Sequence, residues 1–446
     1  MTMSSLVIEV VDAGLTAWRG NELVAGPNPG VALMDPGGLL LGSEAVAQQR
    51  LRPVHAVDRF WSELDAEALP RPLPGVRSRA DLAFLHLQGF LGGIARQEDE
   101  RVVLALPGNL RPRQLGLLAG IASTLGLPMG GFVDLAVAAG ASVPTGMRML
   151  HLDVHLHRAV LTELVGDDVL QRGRVEAAPR VGLRALHEAW ARWIAGSMVE
   201  RTRFDPLHHA ASEQSLMDRL PASLECLESG AEVEVVVESP HGPLSVTFAR
   251  EDALLAVEAF YSQLVDLVRG QLGAAPLTLL LSHRAASLPG LAGRLGGLAG
   301  VELRRLDATA VPRGLERWSG SDEGSLWTAL PRHLWAAPEL PRSSTPARAP
   351  THLLHAGQAY RLGDGELAVG TQPAGSRTLR LPGRPAGVSR QHCRLLARDG
   401  VVELLDDSRY GTWRNGQRVR GSALLAPGDT LRLGTPGVTL ELIEVE

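Results

Sequence analysis

The chain contains no lysine: all 44 of its basic residues other than histidine are arginine. Chemistry that depends on a lysine amine is therefore excluded. Cysteine is almost as scarce. Cys226 and Cys393 stand far apart, in what read as different domains, which points to free thiols in a reducing cytoplasm rather than to a disulfide framework. The net charge is −5, so nucleic-acid binding by phosphate neutralisation is not expected. A Gly-x-Ser-x-Gly elbow, a P-loop and a cysteine–histidine pairing of catalytic spacing are also missing. Residues 1–5 show neither a basic start nor an apolar run, so they do not read as a secretory signal.

Long apolar runs are missing too, with one partial exception. Between Leu115 and Pro144 the only charge is Asp134, a length that invites comparison with a membrane span. Gly126-Leu127-Pro128 divides it, and two short buried helices joined by a turn are expected instead.

What is present is globular. With 446 residues, 45% of them hydrophobic and 21% charged, the chain has material for two or three packed domains. Residues 1–318 alternate apolar strand-like runs (6–11, 102–106, 150–156, 233–238, 277–281) with amphipathic helical stretches (80–94, 111–125, 181–201, 251–271). That alternation predicts an α/β domain. The last helical stretch carries apolar residues at 254, 255, 257, 260, 261, 264, 265 and 268, a 3.6-residue stripe. Residues 319–352 read as a linker, because Pro, Ser, Ala and Arg dominate 336–350. From 353 to 446 short strands alternate with Gly turns such as Asn415-Gly416 and Pro427-Gly428-Asp429, which predicts an all-β sandwich.

Within that last segment Ser389-Arg390-Gln391-His392 is followed by Asp407-Ser408-Arg409-Tyr410-Gly411-Thr412 and Asn415-Gly416. This series resembles the forkhead-associated (FHA) domain, a β-sandwich whose loops dock onto protein partners, usually at a phosphothreonine. The resemblance implies partner binding through Ser389, Arg390, Arg409, Tyr410 and Thr371, with His392, Gly411, Thr412, Asn415 and Gly416 as structural residues. It also exposes two departures. The family's phosphate-binding arginine is here Thr371, after Gly370, and its peptide-gripping asparagine is Tyr410. Arg409, Arg390 or Arg384 can substitute only if a guanidinium reaches the phosphate. Phosphothreonine binding and phosphate-independent docking both stay open on these residues.

The first region resembles, in the order of its elements, the ATPase domain shared by actin, sugar kinases and heat-shock chaperones, a ribonuclease H-like fold. Asp12-Ala13-Gly14-Leu15-Thr16 resembles the first phosphate hairpin, and 150–164 stands where the second belongs. There the family's glycines are replaced by His155, Leu156 and His157, and Ser282-His283 replaces the Gly-Gly of the adenosine strand. A phosphate cradle needs glycine so that backbone N–H groups can approach. A vestigial nucleotide cleft is therefore expected, marked by Asp12, Gly14, Thr16, Asp153, His155, His157, Ser282 and His283. Strand periodicity would place His151, Asp153, His155 and His157 on one face, where neighbouring pairs can chelate a transition metal. A second donor segment is missing apart from His208-His209, so polar residues lining the cleft are expected and no metal.

These readings predict a multidomain protein that is not an enzyme. It would be a cytoplasmic, non-catalytic scaffold joining a pseudo-ATPase to an FHA docking module, needing no cofactor and using a protein partner. A membrane span and nucleic acid are not expected, and oligomerisation is open. The alternative is an active switch that binds ATP and magnesium.

Overall fold

The computed structural model describes residues 5–143, 148–166, 169–239, 242–273, 275–316, 326–331, 350–355, 358–363, 365–383, 385, 387–398, 401–415, 417–419, 421–434 and 437–444. The chain divides into two compact units, Met1–Leu334 and Trp335–Glu446.

The first unit is built on two six-stranded sheets. One contains β1 (Ser5–Val11), β2 (Gly14–Arg19), β3 (Glu22–Asn28), β4 (Arg101–Leu106) and β5 (Met129–Asp134). The other contains β6 (Arg148–Val154), β7 (Arg158–Val165), β8 (Val169–Pro179), β9 (Leu277–Leu281) and β10 (Val301–Arg305). Each half runs in the same order. Three consecutive strands form an antiparallel meander, and two later strands add in parallel beside the first. The last strand of each sheet comes from one short segment: β11 (Leu326–Trp327) pairs with β5, and β12 (Ala329–Pro331) pairs with β8.

Strand alternation sorts the core into layers. Leu6, Ile8 and Val10 face a cluster with α1 (Arg79–Gly92) and α2 (Pro112–Thr124). Val7 and Val11 face the opposite way, toward a middle layer around α3 (Leu135–Ala141), shared with Met149 and Leu280 of the second sheet. On the far face Leu150, Leu152 and Val154 pack under α4 (Leu183–Thr202), α5 (Ala210–Ser229) and α6 (Glu258–Arg269). Local chemistry starts α1: Ser78 Oγ accepts from Asp81 N at 3.2 Å while the Asp81 carboxylate accepts from Ser78 N, a capping box.

Three sequence expectations need correction. The run from 115 to 144 does hold two helices, but β5 rather than a turn lies between α2 and α3. Glycine-flanked apolar residues fit a buried strand as well as a helix. The stripe from 251 to 271 is continuous in sequence but folds as two helices, Arg250–Leu255 and α6, broken at Ala256–Val257. The expected linker start at 319 falls short of the first unit's end, since β11 and β12 belong to its sheets. Among the described residues, no helix is long and apolar enough to cross a membrane.

The second unit is a β-sandwich. One sheet holds β13 (His352–His355), β14 (Gln358–Arg361), β19 (Thr412–Arg414), β20 (Gln417–Arg418), β22 (Thr430–Leu433) and β23 (Val438–Ile443). The other holds β15 (Gly365–Gly370), β16 (Thr378–Arg380), β17 (Cys393–Arg398), β18 (Val401–Asp406) and β21 (Ser422–Leu425). Alternate residues such as Leu367, Val369, Leu395, Leu404, Leu431 and Leu440 fill the space between them.

Candidate functional site

In the first unit the expected cleft residues gather between the two sheets, yet they bond to one another. The tip of the β1–β2 hairpin is Asp12-Ala13, and the tip of the β6–β7 hairpin is Leu156-His157. The tips meet: Asp12 Oδ1 accepts from Leu156 N at 2.7 Å. The Leu156 side chain joins a small cluster of Val31, Leu33 and Ala45 from the first half. His157 Nε2 bonds the Asp58 carbonyl at 2.9 Å, and Arg158 Nη2 donates to the Ser62 carbonyl at 3.2 Å.

Deeper in, Arg284 joins the two sheets. It belongs to α7 (His283–Ala286), whose N-cap Ser282 accepts from Ala285 N. Its Nε and Nη2 donate to the two oxygens of Asp153 on β6 at 3.0 and 2.7 Å, and its Nη1 donates to Glu9 on β1 at 3.3 Å. Ser282 Oγ donates to Asp153 at 2.6 Å, and Trp18 Nε1 donates to Glu9 at 3.1 Å. Burial opposes ionisation of Asp153, but the Arg284 guanidinium, with His155 beside it, overrides that and holds the carboxyl well below its usual range. For Glu9 burial dominates and raises the carboxyl despite the same guanidinium. Burial pushes His151 and His283 down to about 4, so both are neutral at ordinary pH.

Next to the hairpins a cavity of about 30 Å³ remains, lined by Asp12, Trp61, Asn109, Gln114, His155 and Arg158 among others. Asp12 Oδ2 and Asn109 Oδ1 are buried there without a hydrogen-bond partner, and the volume suits a water molecule. Gly14 keeps its close packing on Pro27, and Thr16 is buried in β2. The four-residue face expected from strand spacing is only half realised. His151 and Asp153 share a face of β6, whereas His155 and His157 lie beyond its end in the turn. Among the described residues no group of three or more His, Cys, Asp and Glu side chains is arranged to hold a metal.

The loop end of the second unit is assembled around His392, which is fully buried. Its Nδ1 accepts from Ser389 N at 3.0 Å, so Nε2 carries the proton and donates to the Gly411 carbonyl at 3.0 Å. One ring therefore ties the 388–392 turn to the 407–411 turn. Burial lowers its pKa and favours that neutral tautomer. Ser389 Oγ accepts from Arg409 N at 3.0 Å, which leaves the hydroxyl proton free to donate outward. Ser408 Oγ caps Gly411 N, whose φ of 89° suits glycine. Asp406 accepts from Ser408 N and from the Thr412 hydroxyl. Asn415, at φ 49°, clamps the neighbouring loop by donating to Asp429 and accepting from Thr430.

The family model for the FHA domain matches residues 369–434. This segment is an FHA domain. No curated protein matches the chain. On the FHA loops Arg390, Arg409 and Tyr410 are exposed, and among the described residues neither guanidinium has a hydrogen bond or ion pair. Thr371 is different: it is buried, and both its N–H and its hydroxyl turn to the Ser389 carbonyl, at 3.1 and 3.4 Å. It shapes the Ser389 turn from beneath. Arg384 and Gly416 lie outside the described residues.

Sequence reasoning missed Arg284, Glu9 and the apolar role of Leu156. Glu9 did leave a signal, as the lone charge in an otherwise apolar strand, and a buried carboxylate demands a partner. Arg284 left none, because its acids are 131 and 275 residues away.

Proposed function

We propose that the protein is a non-catalytic cytoplasmic scaffold: an actin-like, ribonuclease H-like body whose nucleotide cleft is closed by its own side chains, carrying an FHA module that docks onto a phosphothreonine-bearing protein. The repeated strand order of the two sheets supports the actin-like reading of the first unit. The observation that carries the loss of catalysis is the Arg284 bridge from Asp153 to Glu9. In the resembled family, carboxylates at the positions of Asp12 and Asp153 face magnesium and phosphate. Here Asp153 already has a guanidinium and a hydroxyl, and one Asp12 oxygen holds the opposite hairpin. A cavity of about 30 Å³ is an order of magnitude below what a cofactor needs, roughly 300–1,000 Å³. These residues do not fit a magnesium nucleotide.

The lobes are joined at the rim as well. Arg50 pairs with Glu213 at 3.1 Å and with Glu188 at 3.5 Å, Gln214 bonds the backbone of Val46 and Arg50, and Arg184 pairs with Asp58. A body tied at rim, hairpins and floor suits a rigid platform better than a hinge.

For the FHA module, Ser389 offers a hydroxyl donor, and Arg390 beside it and Arg409, whose N–H it accepts from, carry guanidinium groups with no ion pair among the described residues. We assign to them the anion contact that Thr371 does not make. Tyr410 in place of an asparagine removes a side-chain grip on the peptide backbone. Affinity then leans on charge and weakens as salt rises.

Two titrations of the full-length protein test the reading. Calorimetry with magnesium-ATP is expected to show no binding; micromolar binding abolished by Asp12→Ala would establish the ATP switch instead. An immobilised phosphothreonine peptide library should retain the protein over its threonine counterpart, and Ser389→Ala should erase the difference. Equal retention by both libraries would remove phosphate from the account.

A further inference from the structure

A second, larger cavity opens on the first unit, away from the cleft between its sheets. It measures about 410 Å³ and lies between α2 and the β4–β5 edge, lined by Ala119, Ala122, Leu127, Met129, Phe132 and Arg101. Leu127 and Phe132 are buried and form fixed walls. Ala119, half-buried on the facing helix, keeps the space open, since a larger side chain there would enter it. The volume falls within the range of small-molecule sites.

Arg101 gives the cavity a sign. It is half-buried, and among the described residues its guanidinium has no hydrogen bond or ion pair. The acid beside it in sequence, Glu100, is already taken by Arg19 through bonds of 2.6 and 3.0 Å. A guanidinium partly withdrawn from water, beside apolar walls and with no ion pair among the described residues, favours a ligand that brings an anion. Fork geometry favours a carboxylate, and the walls favour an aliphatic body.

We propose that this cavity binds a small amphipathic carboxylate, its anionic end on Arg101 and its chain against Leu127, Met129 and Phe132. The site is independent of both the Arg284 bridge and the FHA loops.

Calorimetry of the full-length protein with octanoate tests it, using octan-1-ol and octylammonium as partners of equal chain length. Octanoate should bind at one site per chain and at least tenfold more tightly than either comparator. Arg101→Met should reduce octanoate to the level of the alcohol. Ser123→Trp, at an exposed position on the cavity wall, should abolish binding while leaving the thermal unfolding curve unchanged. If that variant unfolds early, Ala119→Phe blocks the same space. No heat at millimolar octanoate, equal affinity for octylammonium, or an Arg101→Met variant that binds normally would overturn the proposal.

Discussion

Arginine meets acid in the cleft of the first unit and meets solvent at the loops of the second, and the two regions teach opposite lessons about lost motifs. The FHA loops keep the frame of their family while departing from its side chains, and the cleft carries side chains where the motifs it resembles would carry glycine. In the cleft the departures at Leu156 and Ser282 are answered from within: Leu156 fills an apolar gap where glycine would leave room, Ser282 bonds Asp153, and Arg284 supplies the positive charge between two acids. At the FHA loops Thr371 is absorbed into the turn, but Arg390, Arg409 and Tyr410 remain exposed. Internal satisfaction marks a structural end state; unsatisfied charge held on a rigid turn marks a surface still available to a partner.

The comparison breaks most visibly at Arg284. Arg284→Ala leaves Glu9 and Asp153 buried without their cation, and the first unit should lose about 3–5 kcal/mol in urea unfolding, because an uncompensated buried charge is costly. A loss near zero would mean the bridge is ornamental. At the FHA loops the matching loss of structure is smaller. His392→Ala removes two bonds that join the turns, so the FHA unfolding transition should drop by about 1–3 kcal/mol and phosphopeptide retention should fall with it.

Arg409→Ala sharpens the contrast, since it should leave stability within about 0.5 kcal/mol yet weaken phosphopeptide binding roughly tenfold. A shallower salt dependence should accompany it. Unchanged binding would shift the anion contact to Arg390. The smallest effect per residue is in pH. His151 and His283 titrate near 4 in the folded chain against 6.5 when unfolded. Between those values the unfolded state binds more protons, so stability falls as pH drops from 6.5 toward 4. By pH 6 the loss is roughly 0.8 kcal/mol per histidine. Urea midpoints at pH 7.5 and 6 would measure the sum, to which His86 and His187, also lowered to about 4 by burial, contribute, and His151→Leu should remove one share of it.

The FHA loops were the more legible region. Ser389, His392, Gly411 and Asn415 serve local turn geometry, so their roles are written within a few residues of each other. The cleft was legible only as a set of losses. What fills the cleft depends on pairings across the whole unit, and neither the Asp12–Leu156 bond nor the Arg284 bridge leaves a local pattern. β5 was hidden for a different reason: Gly130-Gly131 next to Phe132 and Val133 carries no decisive period. Residues 326–331 form strands because edges await them, rather than through their own propensity.

Those six residues also set an order of events during synthesis. Both sheets of the first unit take their last strand from a segment translated after everything else in that unit. The nascent chain must therefore wait with two open sheet edges until Pro331 clears the ribosome, and open edges invite mispairing. The FHA sandwich draws its strands from one contiguous stretch that follows, from His352 to Ile443, so its completion depends on no earlier strand.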